Sequence, residues 1–395
     1  MRTLRIAVRR FDPFESAIRR QFADFARAAG CDARMEGEPL ELNELHRRLF
    51  EERGLADGSV DIAFLSTDWL AEAQAAGLIA DLTPHLERAP IADFPGAWSP
   101  SLLGLQSFAG GFWGLPYHDG PACLIYRRDL LEEAGLEVPR TWEDFHAAAR
   151  RLHAPRRGRY GTALALFPDG HNGFYDFCIQ VWSRGGEPFG EGARPQLCSR
   201  PAAEALEFLR RLAGDEEAIA PGARDLDSVK SGLLFCEGRV ALMANWFGFA
   251  ALGERWEQSR VKGLTDVAPL PHGGGRSVSL NVFWVLALAS GSRQKDLAWS
   301  FMRHVATASM DKLTTLEGAI GVRRSTWVDP EINRLIPFFH KLEVLHVHAR
   351  ELPAHPRLAD ISHVIDDLLA RATGTRLPVE DLLREAQGRI ERLLA

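Results

Sequence analysis

Apolar and polar residues recur along this chain at two spacings. Ile18, Phe22, Phe25 and Ala29 follow a helical period, and Gly30 stands where a C-terminal cap belongs. Residues 4–8 before them form a short β-like run. Residues 61–65 read as a buried strand, and 68–77 as a helix that ends in glycine. A strand is predicted over 122–126 and a helix over 129–135. Thr141 caps the next helix, with Asp144 three residues on, and Phe145, Ala148, Ala149 and Leu152 make its apolar face. Residues 162–167 read as strand. Pro201 opens a helix that Gly214 closes, and another runs from about Asp227 to Gly238. Val240, Leu242 and Ala244 alternate, so 239–244 is a predicted strand, as is 281–289. Leu297, Phe301 and Val305 mark a further helix. Leu383, Ala386, Ile390 and Leu393 share one face of the last. Strands alternate with helices throughout, which predicts an α/β fold with mostly parallel sheet. Ligand sites of such sheets lie in the loops after the carboxyl ends of strands.

Those loops share a pattern. Ser66, Thr67, Asp68 and Trp69 follow the strand at 61–65, and Trp113 to Asp119 include Tyr117 and His118. Asp169, His171, Asn172, Phe174, Tyr175 and Asp176 follow 162–167. Asn245, Trp246 and Phe247 follow 239–244, and Ser279, Asn281 and Trp284 lie beside 282–289. The recurring unit is a ring next to an Asp or Asn. Such a pair suits a carbohydrate: the ring covers the C–H face of a pyranose while the polar oxygens bond its hydroxyls. Taken singly, each Trp reads as core and each Asp or Asn as a helix cap. The recurrence is what points to a ligand.

Composition narrows the class. The chain has 395 residues, 46% hydrophobic and 25% charged, which excludes a disordered or collagen-like protein and fits two or three domains or one two-lobed body. Its net charge of −6 leaves no whole-protein basic footprint, so no nucleic-acid partner is expected. The longest apolar run, 282–289, is far short of a bilayer span. The five cysteines at 31, 123, 178, 198 and 236 are irregularly spaced without C-x-x-C, so they read as small buried residues. The first residues carry charge but no apolar signal core or small-residue cleavage site; the chain is either cytoplasmic or given without its leader.

Other signals carry less. Gly273, Gly274 and Gly275 lack the phosphate-loop pattern. His340, His346, His348 and His355 sit in helical or loop surroundings that do not converge two histidines on one face, so no metal is assigned. Arg9 and Arg10 follow the first strand and read as a solvated pair or as partners of an anion. No nucleophile elbow, no zinc-protease helix motif and no cofactor motif is present, so the enzyme reading has no anchor beyond His118–Asp119.

Several segments, in order, resemble the extracellular solute-binding proteins of ABC importers, in the sugar-binding group that includes maltose-binding protein. They are DIAFLSTDWLAEAQAAGLIADLTPHL at 61–86, GFWGLPYHDGPACLIYRRDLLEEAGLEVPRTWEDF at 111–145, FCEGRVALMANWFG at 235–248, the run 280–327 and the C-terminal helix after Leu377. Arg127 stands where the family usually has Asn, and Gly321-Val322-Arg323 lacks the usual Pro. The resemblance implies a type II periplasmic-binding-protein fold: two α/β lobes joined by a hinge, with a ligand cleft between them. The first lobe would be 1–118 plus 253–318 and the second 119–252 plus 319–395. Carried over by position, Asp68 and Trp69 match a ligand loop of the first lobe, and Asn172, Phe174 and Tyr175 one of the second. Trp246 matches an aromatic stacking position. His118 and Asp119 fall at the hinge or cleft, Asn281, Trp284 and Glu317 near the crossover, and Arg357 and Ser362 by a late helix. The implied protein is a monomeric, non-enzymatic, cofactor-free binder of a sugar-like solute. It would close on that solute and present it to a membrane permease, in the periplasm or outside the cell. The alternatives are the same fold binding an acidic sugar, a polyamine or another small ligand, or a sugar-modifying enzyme.

Overall fold

A computed structural model describes residues 2–395. Twelve strands occur among them: β1 (Arg2–Arg9), β2 (Ala33–Leu40), β3 (Ile62–Ser66), β4 (Ser107–Phe108), β5 (Gly111–Phe112), β6 (Leu115–His118), β7 (Ala122–Arg127), β8 (Leu242–Trp246), β9 (Thr265–Ala268), β10 (Ser279–Leu280), β11 (Trp284–Leu288) and β12 (Ala349–Arg350). The chain divides into two compact units, 1–120 with 282–340 and 121–281 with 341–395.

The first unit is built on a five-stranded sheet ordered β2-β1-β3-β11-β6. β1 pairs in parallel with β2 and β3, whereas β11 runs antiparallel to both β3 and β6. Every residue of β3 is buried, as its unbroken apolar run requires. The helix Asp12–Ala29 lays Phe14, Ile18, Phe22 and Phe25 into the core and ends at Gly30 in the left-handed region, φ 57°. Phe22 and Phe25 meet Phe301 of the helix Lys295–Val305. A polar chain runs through this core: the Tyr117 hydroxyl donates to Gln21 (3.0 Å), whose amide donates to Thr314 (2.8 Å).

The segment around Gly321 is held by one buried carboxylate. Asp311 accepts from the Val322 and Arg323 backbone N–H groups (2.8 and 3.1 Å) and from the Thr326 hydroxyl (2.5 Å). A Cβ on Gly321 would lie 2.6 Å from Asp311 Oδ2. This loop is therefore fixed by side-chain hydrogen bonds. Arg9 and Arg10 both reach Glu41, at 2.8 and 3.7 Å, so the two share one carboxylate within the first unit.

The second unit carries an antiparallel sheet ordered β8-β7-β9 and the small parallel pair β10-β12. Arg127 makes a two-pronged ion pair with Asp129 (2.7 and 2.6 Å) at the start of the helix Arg128–Ala134. Thr141 and Asp144 form the expected capping box of the helix Trp142–Leu152. Phe174, Phe177, Phe208, Phe235 and Phe247 are fully buried in this unit's core.

The structure corrects four expectations. The sheets are mixed in the first unit and mainly antiparallel in the second, because distant segments return beside early strands. Residues 253–281 belong with the second unit, since β9 pairs with β7, and 319–340 with the first, where Asp311 and the Ile320 backbone hold them. Residues 162–167 are no strand: Thr162, Leu166 and Phe167 donate to Ala218, Ala223 and Leu226, which form no ladder. The strand predicted over 281–289 is shorter, β11 at Trp284–Leu288, and residues 281–283 before it are not strand.

Candidate functional site

Most of the proposed ligand residues fall into one group in each unit, while Glu317, Asn281 and Arg357 stand apart. In the first unit, β3 ends in a single tight turn, Thr67–Trp69. This turn puts Trp69 in the core at 3% exposure, where it meets His46 edge-on at 5.0 Å and Trp284 at 6.0 Å, 84° between planes. Trp284 opens β11 opposite Ser66 and His118, and remains partly exposed. Asp68 lies on the turn between β3 and Trp69, beside this ring pair. His118 packs edge-on against Phe14 (4.8 Å), and its Nδ1 accepts from the Ile320 N–H (2.9 Å). Burial pulls its pKa down to about 4, so the ring is neutral and carries its proton on Nε2. Asp119 is buried, and its backbone N–H donates to Ile320 (3.0 Å). His118 and Trp284 thus pack on Phe14, and Trp69 joins this aromatic cluster through Trp284. Glu317 does not join it: its carboxylate holds Arg20 and the Ser16 hydroxyl on the helix Asp12–Ala29.

In the second unit, the helix Asn172–Trp182 begins under an aspartate cap. Asp169 accepts from the His171 and Asn172 N–H groups (2.9 and 3.1 Å) and from the Asn172 amide (2.6 Å). Gly170 in the left-handed region donates to Asp366 of the helix Leu358–Gly374 (2.7 Å). Tyr175, one turn along, meets Trp246 edge-on at 5.7 Å. Trp246 ends β8, and its N–H donates to Asn245 Oδ1 (2.7 Å). Asn245 is anchored in turn on Ser228 and Ser231. Phe174 is fully buried, packing on Tyr175 and Phe189, so it supports the site and does not line it. Asn281 is buried at the end of β10, its N–H donating to Arg350. Arg357 is bound to Asp360 and to the Leu393 carbonyl, and is occupied as a clamp on its own helix start.

Asn172, Tyr175 and Trp246 line a crevice of about 40 Å³ together with Thr162, Asp176 and Gln180. Burial, with Asp169 nearby, pushes the Asp176 carboxyl up to about 7, and burial pushes Asp366 to about 6. Both groups are therefore part-protonated near neutrality. Asp176 stands in the ring–polar pattern of the sequence; Thr162 and Gln180 do not, since only the fold sets them against the crevice.

Ring–polar groups thus stand near strand ends in each of the two units, and no metal-ligating cluster of three or more side chains occurs among the described residues. The family described as bacterial extracellular solute-binding protein matches residues 52–312, about two thirds of the chain, and the chain belongs to that family. It is 26% identical over 347 residues to the mannitol-binding protein of Pseudomonas aeruginosa, covering 82% of this chain and 74% of that one. It is 22% identical to the arabinooligosaccharide-binding protein of Halalkalibacterium halodurans, over 91% of this chain and 82% of the other. Among solved structures, maltose-bound MalE3 of T. maritima superposes with a TM-score of 0.90 at 22% identity, over the full length of both chains. A solute-binding protein of Agrobacterium radiobacter in complex with ribitol gives 0.89 at 24% identity, over 99% of this chain and 98% of that one. These likenesses establish the fold.

Proposed function

We infer that this protein is the solute-binding component of an ABC importer. It acts in the periplasm or outside the cell, binding a sugar or polyol, closing on it and delivering it to a membrane permease. The observation that carries this reading is the group Asn172, Tyr175 and Trp246 around a crevice in the second unit: an edge-on ring pair beside amide and carboxyl groups. A ring at Trp246 covers C–H faces, and Asn172 bonds vicinal hydroxyls. Asp68 and the partly exposed Trp284, backed by the buried Trp69, offer the same chemistry in the first unit. Relatives named for mannitol and arabinooligosaccharides, and structures holding ribitol and maltose, support a polyhydroxylated ligand.

Ligand binding shifts a hinged protein only if the closed state binds better than the open one. Calorimetric titration with hexitols, pentitols, hexoses and maltose tests the reading. One of these classes saturates the protein with one site, and Trp246→Ala weakens that binding at least tenfold. Saturation by polyamines or sugar acids alone would replace it with the non-sugar alternative.

A further inference from the structure

The crevice under Trp246 has a feature that the general sugar reading leaves unused. Thr162 is fully buried, and its hydroxyl has no hydrogen-bond partner. A buried hydroxyl in that condition costs free energy unless something fills the space beside it. The space is there: Thr162 lines the crevice. Its backbone is pinned, donating to the Ala218 carbonyl and accepting from the Ala220 N–H (2.9 and 2.8 Å). The preceding Gly161 passes so close to Ala149 that a Cβ would lie 1.9 Å from its carbonyl oxygen. The backbone that carries the hydroxyl is therefore held in place by the path of the chain.

Asp176 and Gln180 lie four residues apart on the helix Asn172–Trp182, so one face of it presents Asn172, Asp176 and Gln180. Gln180 Oε1 already accepts from Arg184 (2.5 Å), which leaves its amide nitrogen as the donor. The crevice thus combines a carboxyl acceptor, an amide donor and a hydroxyl that does either. With about 40 Å³ of room, it holds two or three water-sized groups and no six-membered ring.

We propose that this crevice is a subsite for the hydroxymethyl terminus of the ligand, with Thr162 and Asp176 as its hydrogen-bond partners and Tyr175 and Trp246 walling its mouth. The chemistry fits a primary alcohol, whose O–H needs an acceptor and whose lone pairs need donors. The same –CH₂OH group ends an acyclic polyol and projects from a hexopyranose. Thr162 and Asp176 are then specificity-determining residues: they select ligands that carry this arm. The inference rests on the sugar or polyol reading above.

The test is calorimetric titration of the full chain and of Thr162→Val, Thr162→Ser and Asp176→Asn with matched pairs. D-Mannitol is set against 1,6-dideoxy-D-mannitol, and D-glucose against D-xylose, with maltose alongside. The expected result is that one parent binds and its truncated partner binds at least tenfold more weakly. Thr162→Val weakens the parent by a similar factor but leaves the truncated ligand unchanged, Asp176→Asn also weakens the parent, and Thr162→Ser restores most of the affinity. A mannitol response identifies the polyol as source of the arm, a glucose response the pyranose. Unfolding curves confirm that each variant is folded. Equal binding of parent and truncated ligands, or unchanged affinity of Thr162→Val for whichever of these ligands binds, maltose included, overturns the subsite while leaving the sugar reading intact. Absence of binding to every polyol and sugar removes both.

Discussion

Tyr175 and Trp246 meet edge-on, their ring centroids 5.7 Å apart and their planes at 80°. One is in the first turn of a helix and the other closes a strand more than seventy residues later, so the contact fixes the position of the half-buried Trp246 ring. An edge-to-face pair of this kind contributes about 1 kcal/mol beyond its buried area.

Replacing Trp246 by Ala separates ligand binding from folding. The ring is only partly buried, so stability falls modestly, by about 1–2 kcal/mol. Affinity for the bound sugar or polyol falls at least tenfold, about 1.4 kcal/mol. Calorimetry and thermal unfolding on the same preparations measure the two effects.

Asp176 sets a pH dependence with a definite sign. Its folded pKa of about 7 lies above the unfolded value near 3.8, so the native state binds the extra proton between those limits. Stability therefore falls as pH rises through that window. Asp176→Asn removes the effect and is more stable than the parent at pH 8, with the gain vanishing toward pH 4. Urea unfolding of both proteins across this range checks it.

His118 acts in the opposite direction. Its folded pKa of about 4 lies below the unfolded 6.5, so the unfolded chain takes up the proton first as pH falls. Stability from this group is full above pH 6.5 and is lost toward pH 4. The His118→Gln variant flattens that limb of the pH profile, measured by the denaturation midpoint at pH 4.5 and 7.

Asp311 holds the loop from Val322 to Thr326 through three hydrogen bonds. Asp311→Ala leaves two buried N–H groups and the Thr326 hydroxyl without this acceptor and costs about 3 kcal/mol or more. A lowered unfolding midpoint, with the affinity of the remaining folded protein unchanged, is the expected outcome.

Much of the fold was legible because its signals are local. Gly30 does end the first long helix, and Thr141 with Asp144 does cap another. β2 escaped notice because it is an edge strand whose residues alternate charge with exposure, leaving no apolar stripe. The apolar stretch from Ala163 to Phe167 looked like a strand, yet its backbone is satisfied by loop carbonyls, a choice made by tertiary packing. Strand direction was illegible for the same reason: β11 inserts between β3 and β6 from more than 160 residues away. In the candidate site, the rings and their polar neighbours stood out in sequence. The engagement of Glu317 by Arg20 and of Arg357 by Asp360 did not, nor did the isolation of the Thr162 hydroxyl, since each depends on partners brought together by folding.

The most direct test of the central claim is thermal unfolding of the purified protein against polyols, mono- and oligosaccharides, sugar acids, polyamines, amino acids and metal ions. One polyol or sugar class, at about a hundred times its Kd, raises native stability by about 2.7 kcal/mol, and the Trp246→Ala variant loses that response. Stabilisation by amines or metal ions alone, or chemical turnover of the bound sugar, would contradict the account.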